Sequence, residues 1–79
     1  MQRPTTRSQR GEDFIAEVER VVERLSDFPE HGKPYLAGTR RMLLARFPYS
    51  VVYLSDADSI QIVAIAHHRR KPGYWRTRM

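Results

Sequence analysis

No cysteine occurs in the 79 residues, and no compact Cys/His spacing that could hold zinc, so neither a disulfide nor a structural metal can brace the fold. Long apolar runs are also missing. The longest, Ile62 to Ala66, is far short of the roughly 20 residues needed to cross a bilayer. The opening Met1-Gln2-Arg3-Pro4-Thr5-Thr6-Arg7 does not lead into the apolar stretch of a signal peptide. These absences predict a soluble, cytoplasmic protein without a membrane partner. Acid is scarce beyond residue 30, where only Asp56 and Asp58 occur, and lysine is scarce throughout, with Lys33 and Lys71 alone. The basic character is therefore carried by arginine and sits in one part of the chain.

Residues 1–30 hold five Arg against seven Asp/Glu, whereas residues 31–79 hold nine Lys/Arg against two Asp, so a net charge of +5 conceals halves of −2 and +7. Such a field concentrates polyanions or acidic protein faces at the surface, although it says nothing about fold. A chain of this length is one domain at most and buries a small core, for which packing against a partner is the natural reinforcement.

The first element is a helix. Phe14, Ile15, Val18, Val21, Val22, Leu25 and Phe28 form one broad apolar stripe on a 3.6-residue period. Glu12, Asp13, Glu17, Glu19 and Glu23 are read as its solvated side. Pro29 cannot continue the ladder and disfavours helical geometry at Phe28, which ends the helix there. Its start is predicted between Thr5 and Glu12, with residues 1–10 flexible. After a loop from Pro29 to Gly38 the period changes to two, predicting strands over Arg40–Arg46, Tyr49–Leu54 and Ser59–His67, the last two joined at Asp56-Ala57-Asp58. Short connections favour an antiparallel meander. The fold class is thus α+β, one amphipathic helix on a three-stranded sheet. Simple alternation in the third strand sets Ile60, Ile62, Ala64 and Ala66 on one face and Gln61, Val63, Ile65 and His67 on the other. Both faces are largely apolar, and one helix cannot cover both. The C-terminal tail, a second copy of the chain or another partner must cover the remainder.

Three segments, taken together, resemble a known family: ERLSDFPEHGKPY at 23–35, RRMLLARFPYSVVY at 40–53 and IQIVAIAHHRRKPGYWRTR at 60–78. Their combination of Phe-Pro-Glu-(two residues)-Lys-Pro, Arg-Phe-Pro-Tyr and His-His-Arg-Arg is similar to the RelE/ParE superfamily of bacterial type II toxins, or plasmid stabilisation proteins. The resemblance covers about residues 9–76 and implies that 1–79 form a single toxin domain. Members of the family open with a strand and a further helix that find no counterpart in this sequence, and Gln2-Arg3-Pro4 resembles the connection between the two family helices. A late start codon or a shortened toxin is the expectation.

The resemblance implies one of two activities. RelE-like members cut messenger RNA on the ribosome, which needs a base for the ribose 2′-hydroxyl, an acid for the leaving oxygen and positive charge for the transition state. For that chemistry the candidates are Arg46, Arg69, Arg70, Tyr74, His67 and His68, with Arg46 the favoured phosphate contact because a guanidinium fork holds two oxygens at once. ParE-like members bind and inhibit DNA gyrase without chemistry of their own. For target binding the candidates are Arg40, Arg41, Trp75 and Arg76. Neighbouring strand residues face apart, so Arg40 and Arg41 cannot both address one target; the reading groups Arg40 with Met42, Leu44 and Arg46. The same rule makes His67 and His68 poor joint ligands, and no metal or other cofactor is expected; each histidine is read either as closing the third strand or as a proton carrier. Tyr74 and Trp75 could stack on bases, or Trp75 could cap the sheet. The sparse lysine and the His-His-Arg-Arg ending favour the gyrase branch. The partners implied are a cognate antitoxin, DNA gyrase or a translating ribosome with its mRNA, and, among self-associations, a homodimer. A third reading is an inactive remnant that only binds antitoxin.

Overall fold

The helical stripe and the strands that follow it assemble as an α+β fold in a computed structural model, which describes residues 6–76. Helix α1 (Thr6–Asp27) begins inside the segment expected to be flexible, and residues 1–5 lie outside the described residues. It ends where Pro29 requires, with a last backbone bond from Phe28 N–H to Arg24 O. Four strands form one antiparallel sheet in sequence order: β1 (Lys33–Pro34), β2 (Arg40–Leu43), β3 (Tyr49–Ser55) and β4 (Ile60–His67).

The sheet departs from the expected three strands in three ways. First, β1 is an additional edge strand of two residues, pairing Lys33 with Arg41 and Pro34 with Arg40. Proline is tolerated there because an edge strand can leave one side of its backbone unpaired. Second, β2 stops at Leu43 rather than Arg46. Leu44 still donates to Tyr49 O at 2.9 Å, but the chain then turns away. Third, β4 carries a bulge. Val52 pairs with Ala64 while Tyr53 pairs with Ile62, which leaves Val63 as the extra residue. The expected alternation is corrected accordingly. Ile60 and Ile62 before the bulge share the helix-side face with Ile65 and His67 after it, and Gln61, Ala64 and Ala66 take the opposite face.

On the helix side, Leu25, Leu44, Val51 and Tyr53 are buried at the centre, ringed by Phe14, Val18, Val21, Met42, Phe47, Tyr49, Ile60 and Ile65. Phe14 meets Phe47 and Tyr49 edge-on at 5.2 and 5.0 Å, the geometry that aromatic quadrupoles favour. On the other side the tail supplies the cover. Trp75 is only 2% exposed, and Ser50 and Val52 beneath the tail are buried. Gly73 turns the tail at φ +80°, a conformation that a side chain would strain.

Tyr53 ties the helix–sheet loop to the core. Its hydroxyl donates to Pro29 O at 2.6 Å and accepts from Gly32 N–H at 3.0 Å. Gly32 leaves room for that hydroxyl; a β-carbon there would sit 2.8 Å from Tyr53 Cε1 and 2.9 Å from Arg41 O. Tyr53→Phe strands both backbone groups and is expected to cost about 1–3 kcal/mol in urea unfolding. Faster amide exchange at Gly32 would identify the loop as the part released.

Candidate functional site

A cleft lies on the face of the sheet away from α1, bounded by the end of β4 and the tail. It encloses about 90 Å³ and is lined by Tyr35, Arg41, Ser50, His68, Arg70 and Tyr74, among others. Each of its two arginines rests on an aromatic ring. The Arg41 guanidinium lies 4.4 Å above the centre of Tyr35, and that of Arg70 lies 4.1 Å above Tyr74. A ring beneath a guanidinium holds its plane while leaving its N–H groups free for an anionic partner. Tyr35 in turn sits beside buried Trp75, with centroids 6.2 Å apart, so one of the two platforms is braced by the sheet cover.

The histidines diverge as strand geometry requires. His67 is on the helix-side face, its ring edge-on to Tyr49 at 4.7 Å, and its Nδ1 accepts the Arg69 N–H at 3.0 Å. His68 faces the cleft, with Nε2 2.8 Å from Ser50 Oγ. The Tyr74 hydroxyl accepts the His67 backbone N–H at 3.4 Å, holding the tail to the strand end.

The expected grouping of Arg40 with Met42 and Leu44 holds, on the helix-side face, but Arg46 leaves it and the arginine of β2 that meets the cleft is Arg41. Arg41 pairs with Val52, so it shares the cleft face, whereas Arg40 pairs with core residue Tyr53. Arg40 is turned to a structural duty, donating to Gly32 O at 2.6 Å and Glu30 O at 3.3 Å. Arg46, favoured for phosphate, has left the strand. It is 62% exposed, lies 3.9 Å from Asp13 on α1 and takes no part in the cleft. Arg69, Lys71 and Arg76 are exposed around the tail, with Lys71 at the cleft itself. Trp75 is buried, so the sheet-capping alternative describes this conformation and base stacking by its ring does not.

Glu17 needs a correction of another kind. Assigned to the solvated side of the helix, it is 5% exposed. Its Oε2 accepts the N–H of Ala45 at 2.5 Å and of Arg46 at 3.2 Å. Those two bonds end β2 and form the turn that carries Arg46 away from the cleft. The sign in the sequence is spacing: Glu17 lies three residues after Phe14 and four before Val21, which puts it at the border of the apolar stripe.

Comparison of the whole chain with protein families settles the affiliation. The family described as the ParE toxin of the type II toxin-antitoxin system parDE matches residues 2–72. The chain belongs to the ParE toxin family. Comparison with curated proteins and with solved structures gave no significant match. As a ParE-family protein the chain is the toxin of a type II toxin-antitoxin system, and the system's antitoxin is its partner. The match extends across α1, the whole sheet and the His-His-Arg-Arg segment, and reaches the tail at Pro72. No helix among the described residues is long and apolar enough to cross a membrane.

Proposed function

We propose that this ParE-family chain arrests bacterial growth by binding DNA gyrase through the cleft face, and that it acts as a binding protein and not as a ribonuclease. One observation carries the reading: both arginines of the cleft are mounted on aromatic rings as a fixed basic surface. Cleavage of RNA would ask for a base beside the phosphate clamp, and Arg46, the favoured clamp, lies by Asp13 of α1 and outside the cleft that His68 faces. A rigid set of guanidiniums suits recognition of an acidic protein surface, where complementary charge sets the encounter rate and the register. The antitoxin, in the same reading, neutralises the toxin by covering this basic face with an acidic segment.

The test is a supercoiling reaction with purified gyrase, relaxed plasmid and ATP, run beside mapping of mRNA ends in cells expressing the chain. Loss of supercoiling with intact messages supports the proposal. Cuts within translated codons while gyrase stays active would assign the chain to the mRNA-cleaving branch.

A further inference from the structure

In the cleft, buried Ser50 meets the ring of exposed His68, Oγ to Nε2 at 2.8 Å. A hydroxyl both donates and accepts, so this bond suits every charge state of the imidazole. A neutral ring presents Nε2 either bare, accepting from Ser50, or as an N–H that donates to it; the imidazolium donates. Charging His68 therefore leaves the contact in place. The neighbouring histidine is built differently. Nδ1 of His67 accepts the backbone N–H of Arg69, and the imidazolium form would set donor against donor there.

The charged groups around His68 are of one sign. Arg41 from β2 and Arg70 and Lys71 from the tail line the cleft, Tyr35 and Tyr74 add phenols, and His67 lines it with its ring turned to Tyr49 on the other face. No carboxylate lines it among the described residues. We infer that the cleft seats a single Asp or Glu side chain of the partner protein, and that His68, held on Ser50, adds a fourth positive charge there as the pH falls. This rests on the cleft face being the target-binding surface. Size and lining select the occupant. About 90 Å³ is the share of three water molecules at roughly 30 Å³ each, which admits a carboxylate with its methylene stem and not a nucleotide. Val52, Ala66 and Pro72 give the stem apolar contact, and the cations take the head. An anion in the cleft and a proton on His68 favour each other, each strengthening the other's binding by the same factor. Histidine changes charge between about pH 5 and 8, so acidic partners are gripped more tightly as the pH drops through that range.

Calorimetry of the full chain with acetylated, amidated hexaglutamate is expected to show binding about five- to tenfold tighter at pH about 5.5 than at pH about 8. The peptide is largely ionised at both, since glutamate titrates near about 4.3. His68→Gln should bind about equally at the two pH values, weakly at both, and His68→Lys about equally and tightly at both. Arg70→Gln should weaken binding about tenfold at each pH and keep the ratio. Fluorescence of buried Trp75 checks that every variant retains its sheet cover. A pH ratio that survives in His68→Gln overturns the proposal, as does a native chain that fails to bind the peptide at about 1 mM. Tighter binding of hexauridylate than of hexaglutamate also overturns it and assigns the cleft to a nucleic-acid phosphate. The gyrase reading fails separately. A chain that inhibits supercoiling without the His68-dependent response refutes the carboxylate seat alone, and one that shows the response while sparing gyrase supports the seat and refutes the target.

Discussion

Glu17→Ala is expected to lower the unfolding free energy by about 2–4 kcal/mol. The carboxylate has two backbone donors, Ala45 and Arg46, and stands between α1 and the end of β2. Hydrogen bonds to an ionised acceptor in a buried setting are stronger than neutral ones, and truncation leaves both N–H groups without a partner. For a domain of this size each kcal/mol moves the melting temperature by about 4–8 °C, so the change is readily measured by thermal melts. Glu17→Gln should cost less, about 1 kcal/mol, because its carbonyl oxygen can still accept both bonds. The other carboxylate oxygen, Oε1, has no partner among the described residues, and the amide nitrogen placed there would be no better served. Amide exchange at Ala45 and Arg46 should accelerate in the alanine variant well before exchange in β3. Equal acceleration throughout the sheet would mean that Glu17 holds the domain globally and not the turn.

The second large effect is functional. If gyrase is the target, as proposed above, Arg41→Glu combined with Arg70→Glu is expected to weaken its inhibition about 100-fold or more, because both ring-mounted cations of the cleft become anions facing an acidic surface. Arg46→Ala should leave inhibition within about threefold of the native value, since an exposed pair with Asp13 contributes little to stability and the residue is remote from the cleft. Dose–response curves in the supercoiling reaction check both. Fluorescence of buried Trp75 verifies that the cleft variant keeps its sheet cover. Strong loss with Arg46→Ala and none with the double reversal would move the target surface to the helix side.

Much of the fold was legible in the residues. The apolar period from Phe14 to Phe28 and the break at Pro29 located α1, and alternating β-branched residues located β3 and β4 to within about one residue. What escaped did so for physical reasons. Two residues, one of them proline, carry no alternation, so β1 left no pattern. The end of β2 is imposed by a carboxylate 28 residues upstream in sequence, which no local propensity can report. The bulge at Val63 is hidden because Val63, Ala64 and their neighbours are apolar on either assignment. The composition of the site, arginine with aromatics near the tail, was equally plain, but its membership was not. Whether Arg40 or Arg41 meets the cleft depends on which face of β2 lies against the helix, and Arg46 was lost from the group only because β2 ended early.

The two borders of the sheet are unlike. At β1 the ladder is two residues long and ends in Pro34, so a further strand would find almost no backbone to grip. Growth of the sheet by strand addition is therefore barred on the β1 side, and the layered stacking that builds fibres finds no template there.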